Sequence, residues 1–241
     1  MFDKLKEIYL REQFNPSYLG IFINQFYFSR KGLHKGISSL IIHLNGKILD
    51  IGCGKKPYQS LCNASEYIGL ELDTPENRLN KKADFFYDGK IMPFKENYFD
   101  SIICNQVFEH IFNPNQFLSE VNRITKINGT FLLTVPFIWD EHEQPCDYAR
   151  YSSFGLKYIL ELHGFEIIEH KKTLNDASVI FQLINCYIYK IICKNIYINI
   201  LMTFILISPV NIVGIIFSKL LPKNNDLYLD NVILAKKVKN V

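Results

Sequence analysis

The stretch "ILDIGCGKKPY", residues 48–58, constrains this chain more than any other. Ile48 and Leu49 close an apolar run, Asp50 follows, and Gly52 and Gly54 come at once. A strand that runs straight into glycines marks a backbone that a ligand approaches closely. A dinucleotide loop of the GxGxxG kind needs a third glycine, so that a helix N-terminus can meet pyrophosphate. Here that position is Pro57, preceded by Lys55 and Lys56. The loop therefore suits a ligand without phosphates, contacted through backbone at Gly52 and Gly54, and the two lysines read as solvating it. A tight strand-to-helix turn with no ligand is the plainer alternative.

The surroundings of that loop set the fold class. Strand-like runs "KILDIG", "YIGLEL", "DSIICNQV" and "GTFLLTVP" follow one another after residue 44. Between the last two, "NPNQFLSEVNRITKING" opens on Asn113-Pro114 and carries Phe117, Leu118, Val121 and Ile124 at helical spacing. It stops at Asn128-Gly129. After Pro136 come a polar-aromatic loop, "FIWDEHEQPCDYARYS", a helix, "SFGLKYILELHG", and the strand "FEIIEHKKT". The last strand is "LYLDNVILAKKV", residues 227–238. Apolar strands alternating with amphipathic helices predict an α/β fold, doubly wound, with a mostly parallel sheet covered on both faces. In such a sheet ligands bind beyond the carboxyl ends of the strands, where Gly52 and Gly54 belong. At 241 residues, with 48% apolar and 21% charged, the chain has room for one such domain with additions. Residues 1–45 read as an N-terminal helical segment and 46–241 as the main domain, with an apolar helical insertion at 174–226 before the last strand.

Three acids follow the strands in order: Asp50, Glu71 and Asp88. A carboxylate ending the second strand, about 20 residues beyond the loop, is placed to accept both hydroxyls of a ribose. With these acids, four ordered motifs come into view. "ILDIGCG", "YIGLELD", "DGKIMPFKENYFDSIICNQVFEHI" and "FLSEVNRITKINGTFLLTVP" resemble the class I S-adenosylmethionine-dependent methyltransferases, in particular their small-molecule, type 11-like branch. The resemblance covers residues 46–173 and 227–238, and the loop departs from it only in having Lys56 where many members have a third glycine. It implies a Rossmann-like, seven-stranded sheet and S-adenosylmethionine as cofactor. It implies that Asp50, Gly52 and Gly54 surround the methionine end, Glu71 binds the ribose and Leu72 lies beside the adenine. Asp88 would sit near the adenine amine, with a turn cap as its alternative, and Asn105 and Gln106 would line the sulfonium side.

For the acceptor, a hydroxyl benefits from a general base near neutral pKa, and histidine is the natural choice. His110 either faces the acceptor or packs the turn before Asn113-Pro114. The loop "DEHEQPCDYARYS" gathers Glu141, His142, Glu143, Asp147, Tyr148, Arg150 and Tyr151 on the ligand edge. It suggests His142 as base, Asp147 as its orienting partner, and Arg150 with Tyr151 for an anionic acceptor. The bland alternative is a solvated loop in which Arg150 pairs with Asp147. The pattern resembles one in methyltransferases of bacterial surface-polysaccharide gene clusters, which implies a small-molecule or glycan-precursor hydroxyl as acceptor.

A net charge of +3, with lysines in scattered pairs, argues against a nucleic-acid footprint. Six cysteines show no CxxC pair and no zinc spacing, so neither disulfide nor metal is expected. The charged start "MFDKLKEIYLREQF" has no apolar h-region and predicts a cytoplasmic location. Asn195 to Ser218 holds no charged residue and is long enough to span a bilayer. It forms a helical hairpin on the domain or on a dimer partner, an in-plane or re-entrant membrane anchor through 178–221 on the inner face of the cell membrane, or a two-span hairpin. A non-catalytic protein of this fold, attached to membrane or partner through that insertion, is the rival class.

Overall fold

The first strand, β1 (Asn45–Ile51), is buried from Ile48 onward, as an apolar run inside a two-sided sheet must be. β2 (Asn63–Leu72), β3 (Phe85–Tyr87), β4 (Phe99–Asn105), β5 (Thr125–Pro136), β6 (Phe165–Lys172) and β7 (Asp230–Lys237) complete one sheet of order β3-β2-β1-β4-β5-β7-β6. The structure, a computed structural model, describes residues 11–192 and 196–241. The charged start at 1–10, and Cys193, Lys194 and Asn195 inside the apolar insertion, lie outside the described residues.

β1 pairs in parallel with both β2 and β4, with Asp50 opposite Gly69 on one side and Ile103 on the other. β2 and β3, and β4 and β5, also run parallel. The strand order turns back between β1 and β4, and a ligand crevice opens at such a reversal. The helix Pro114–Ile124 shows why the sequence folds this way locally. Asn113 caps it by accepting from the Gln116 amide, Pro114 occupies the first turn, and Phe117, Leu118, Val121 and Ile124 are all buried. The helix ends at Ile124, four residues before the Asn128-Gly129 stop that the periodicity predicts. The Thr125 hydroxyl donates to the Val121 carbonyl, and β5 starts there instead, with Asn128 at φ 68° turning inside it.

The chain divides into two compact units, one of Ile37–Phe137, Glu141–Lys171 and Asn231–Val241, the other of Met1–Gly36, Ile138–Asp140 and Lys172–Asp230. Residues up to Gly36 of the N-terminal segment thus share a unit with most of the insertion. In that second unit the insertion forms helices Ser178–Ile191, Ile196–Met202 and Ser208–Leu220, with a π-helical turn at Thr203–Ile207. The wider turn ends just before Pro209, whose ring and missing N–H disfavour a regular turn behind it. Helices Ser178–Ile191 and Ser208–Leu220 pack with Gly214 under Phe181, and the Phe181 and Phe217 rings lie 5.7 Å apart.

The polar residues of these apolar helices have specific partners. Asn211 donates to the Ile21 carbonyl and accepts from Asn185, both at 2.8 Å. Gln182 donates to the Gln25 carbonyl and accepts from the Ser29 amide, each at 3.1 Å. Asn185, Asn211 and Gln182 are fully buried. Other faces remain open, with Phe204 59% and Leu220 72% exposed. Thr203–Leu220, 18 residues at mean hydropathy 1.8, is long and apolar enough to cross a membrane by length and composition. Asn211→Ala leaves the Ile21 carbonyl and the Asn185 amide without this partner in a buried place. A loss of about 1–3 kcal/mol is expected, read as a lower urea midpoint at unchanged m-value.

Candidate functional site

Two groups of side chains gather at the carboxyl ends of β1, β2 and β4. The first is the loop after β1. Gly52 (φ +68°) and Gly54 (φ +54°) both adopt left-handed backbone that favours glycine. A Cβ on Gly52 would meet Val107 Cγ2 at 2.2 Å, whereas one on Gly54 would enter open space. Gly52 is therefore fixed by packing and Gly54 by its backbone conformation, next to room for a ligand. The Gly54 amide donates to Glu71 Oε1 at 2.7 Å, and the Gly54 carbonyl accepts from the Lys82 amide at 2.8 Å.

Asp50 and Glu71 are both buried beside this loop. The Tyr67 hydroxyl donates to Asp50 Oδ2 at 2.7 Å. Burial pushes the Asp50 carboxyl up to about 7, the Tyr67 bond works against that, and the nearby Glu71 charge adds to it. Burial likewise pushes the Cys53 thiol up to about 12, so it is no nucleophile. Two buried carboxylates repel a pyrophosphate and suit a cationic ligand with ribose hydroxyls. The donor set thus fits S-adenosylmethionine, with its sulfonium and ammonium.

Lys56 does more than solvate the loop. It sits at φ 55°, bends its stem across Gly69, and forms an ion pair with Asp84 while only 11% exposed. Asp84 also accepts from the Gly69 amide at 2.7 Å. The pair ties the loop to the segment before β3, and a glycine could not supply it.

The remaining predicted cofactor residues sit as follows. Leu72 is half exposed, and a Cβ on Gly89 would meet its Cδ1 at 3.2 Å, so it lies over the Asp88-Gly89 turn. Asp88 caps that turn, accepting from the amides of Lys90 at 2.9 Å and Ile91 at 3.3 Å, which hold its carboxyl below the usual range. The turn cap is thus present. Asn105 accepts from the Thr134 hydroxyl at 2.7 Å, and that hydroxyl accepts from the Gln106 amide at 3.1 Å. Thr134 on β5 thereby positions both.

The second group lies in the turn Phe108–His110 and the loop after β5. Tyr148 and Ala149 donate their amides to the Glu109 carbonyl, at 2.9 and 3.2 Å, which brings the loop against the turn. The His110 and His142 rings meet edge to face with centroids 4.8 Å apart. His142 Nδ1 lies 3.2 Å from Asp147 Oδ2, and Asp147 also accepts from the His142 amide at 3.0 Å. Arg150 grips both Asp147 oxygens at 2.6 Å and holds that carboxyl well below the usual range. The bland pairing of Arg150 with Asp147 is thus present, and through it Arg150 supports the histidine. Tyr151 stacks on Phe108 at 4.9 Å, and its carbonyl accepts from Asn231 at 3.0 Å. Sequence reasoning passed over Glu109, fully buried with a carboxylate oxygen 3.9 Å from His110 Nε2 and 4.0 Å from His142 Nε2. The only signal for it is a carboxylate placed just after a strand.

Residues 49–133 match a family profile described as a methyltransferase domain. An uncharacterized protein of Methanocaldococcus jannaschii is 28% identical over 126 residues, 50% of this chain and 54% of its own length. The chain thus spans about half the length of that curated relative. Among solved structures, an S-adenosylmethionine-dependent methyltransferase from Archaeoglobus fulgidus superposes with TM-score 0.53 at 18% identity, covering 92% of this chain and 100% of that one. The phosphoethanolamine N-methyltransferase 2 of Haemonchus contortus, complexed with phosphomonomethylethanolamine and S-adenosylhomocysteine, gives 0.54 at 18% identity, covering 92% and 56%. At such identities the structural likeness speaks for the fold.

The raised Asp50 carboxyl has a consequence for stability. The unfolded chain titrates near 3.8 and the folded one near 7, so between these values the folded state binds more protons. The contribution from Asp50 is fully present below pH 4 and is lost as pH rises through 7. Asp50→Asn is therefore expected to gain stability relative to wild type between pH 5 and pH 8, by a few kcal/mol at most. Urea denaturation of both proteins at the two pH values measures this.

Proposed function

We propose that this chain, a class I S-adenosylmethionine-dependent methyltransferase, methylates an oxygen of a small-molecule acceptor, a sugar or glycan-precursor hydroxyl. The observation that carries the reading is the pair of imidazoles whose Nε2 edges converge beside buried Glu109, with His142 oriented by Asp147. When bound, S-adenosylmethionine supplies a methyl already activated on a positively charged sulfur. The chain's own task is then alignment of the acceptor and removal of its proton.

Asp50, Gly52, Gly54 and Glu71 would hold the cofactor from the loop side, Leu72 from the end of β2, Asp88 from the turn after β3, and Asn105 and Gln106 from the end of β4. Glu71 would exchange its bond with the Gly54 amide for the ribose, and Lys56 keeps the loop anchored meanwhile. An amine acceptor would need little beyond alignment, whereas the histidine cluster is what a hydroxyl acceptor requires. The acceptor hydroxyl sheds its proton against the Nε2 edges of His110 and His142. Asp147 and Arg150 keep the His142 ring from turning as charge develops there.

The glycan assignment draws its support from the resemblance of the loop to enzymes of bacterial surface-polysaccharide synthesis. A place on the cytoplasmic face of the membrane draws support from the open apolar side chains of Thr203–Leu220, with Lys219 in the last turn. A lipid-linked sugar would combine the two. Cell fractionation tests this part: the wild-type chain is expected with membranes, and Phe204→Ser with Leu220→Ser shifts it toward the soluble fraction.

Titration calorimetry with S-adenosylmethionine tests the core of the reading, and a folded sample that binds none would sink it. Glu71→Ala is expected to weaken binding at least tenfold, on the order of the 1.4 kcal/mol lost with one such contact. His142→Ala should keep cofactor affinity and lower kcat by roughly 10²–10⁴-fold. A non-catalytic protein of the same fold would bind the cofactor and show no turnover to lose.

A further inference from the structure

We propose that Glu109, His110 and His142 form a binding site for a divalent first-row transition-metal ion, such as zinc or cobalt. One ligand atom from each of the three lies within 4.8 Å of the others. Two imidazoles and one carboxylate on one side of an ion form the facial arrangement that leaves its other positions open.

The orientation of the rings carries the inference further than proximity does. His110 Nδ1 lies 2.7 Å from the Cys146 carbonyl, which can only accept, so this nitrogen bears the proton. His142 Nδ1 lies 3.2 Å from the Asp147 carboxylate, with the Arg150 guanidinium at a longer 3.5 Å, so the proton sits there too. In the neutral imidazoles both Nε2 atoms then carry the lone pairs, and both lie toward the Glu109 carboxylate. A carbonyl behind one imidazole and a carboxylate behind the other is the outer arrangement that metal-binding histidines use to fix tautomer and direction. Three lone-pair-bearing groups sharing one space favour a cation among them. Ligands about 2.1 Å from a tetrahedral ion stand roughly 3.4 Å apart, so the 3.9 and 4.0 Å contacts must shorten by about half an ångström. The histidine–histidine separation, within 4.8 Å, must shorten by up to about 1.4 Å. Rotation of the partly exposed His110 side chain, 15% accessible, and a shift of His142, 28% accessible, together with its Asp147 partner can supply that, against a Glu109 buried at 0%.

With an ion bound, the Nε2 lone pairs of His110 and His142 are committed to it, and the ion replaces them as the group that makes the acceptor proton labile. This role rests on the reading of a hydroxyl acceptor; the binding of the ion does not. The acceptor oxygen enters an open position and forms a bond to the cation. With the ion bound, the O–H bond would break and its proton leave to water. The oxygen would keep that electron pair and form a bond to the methyl carbon as the sulfonium C–S bond breaks, S-adenosylhomocysteine leaving with the C–S pair. Sequence reading expects no metal because the ligands come from two separate loops, in a pattern that no short spacing rule records.

The full-length chain, stripped with a chelator and dialysed, is titrated with Zn²⁺ by calorimetry and with Co²⁺ by visible absorption. One equivalent of Zn²⁺ is expected at micromolar affinity or better, and Co²⁺ should give ligand-field bands of a nitrogen-oxygen site. His110→Ala and His142→Ala should each weaken binding at least a hundredfold, and Asp147→Asn tenfold or more. His110→Gln and His142→Gln, which keep more of the side-chain volume, serve where an alanine variant loses its far-ultraviolet circular dichroism. No saturable binding to wild type, or binding unchanged in the His110 and His142 variants, would overturn the proposal. The two readings fail separately. Absent metal binding with intact S-adenosylmethionine binding removes only the ion, whereas the reverse removes only the methyl transfer.

Discussion

Everything at the site depends on β1 lying parallel between β2 and β4. Parallel pairing sends the carboxyl ends of all three strands to one edge, pairing on both sides leaves β1 no free edge, and the covered faces of the sheet bury it from Ile48 onward. Asp50 is therefore forced into the interior at the point where the strand must give way to a loop. Glu71 is brought beside it by the register that sets Asp50 against Gly69. The acid pair is a result of sheet geometry, and so is the loop's preference for a positively charged ligand. Protein dipoles and a tyrosine hydroxyl only moderate a charge that burial opposes.

Much of this edge was legible in the sequence, because it is built from local signals. Apolar runs, glycines at the strand end and acids at the next strand ends need no knowledge of distant residues. The helix Pro114–Ile124 was legible for the same reason, down to its cap. Its end was not, because Thr125 belongs equally to a helical and to an extended pattern until a neighbouring strand claims it. β3 is only three residues long, too short to show any alternation. Lys56 looked idle because its partner, Asp84, lies well along the chain and reaches it only across Gly69. The convergence of Glu109 with two histidines was hidden likewise. His142 is held from its own loop by Asp147, but the approach of that loop to Glu109 rests on backbone bonds from Tyr148 and Ala149.

The apolar insertion shows how far composition alone can mislead or inform. Gln182, Asn185 and Asn211 read as blemishes in two hydrophobic runs. They are buried, and they hold main-chain groups at Gln25, Ser29 and Ile21. Hydrophobic burial gives these helices their packing energy without direction. A few amide side chains give them an alignment, since a slip by one residue would leave each amide facing apolar neighbours.

The two ends of that insertion meet at Thr173 and Asp230. The Thr173 amide donates to the Asp230 carbonyl at 2.9 Å, and the Leu229 amide donates to the Thr173 carbonyl at 2.9 Å. Below these bonds the Thr173 hydroxyl donates to Asp230 Oδ2 at 2.8 Å. The stem is thus buttoned shut at its base, and more than fifty residues leave and re-enter the chain through one narrow gate. Loop closure grows in cost only slowly with length, so a stem closed in this way tolerates changes of length in the segments between its helices, as long as Gln182, Asn185 and Asn211 keep their partners.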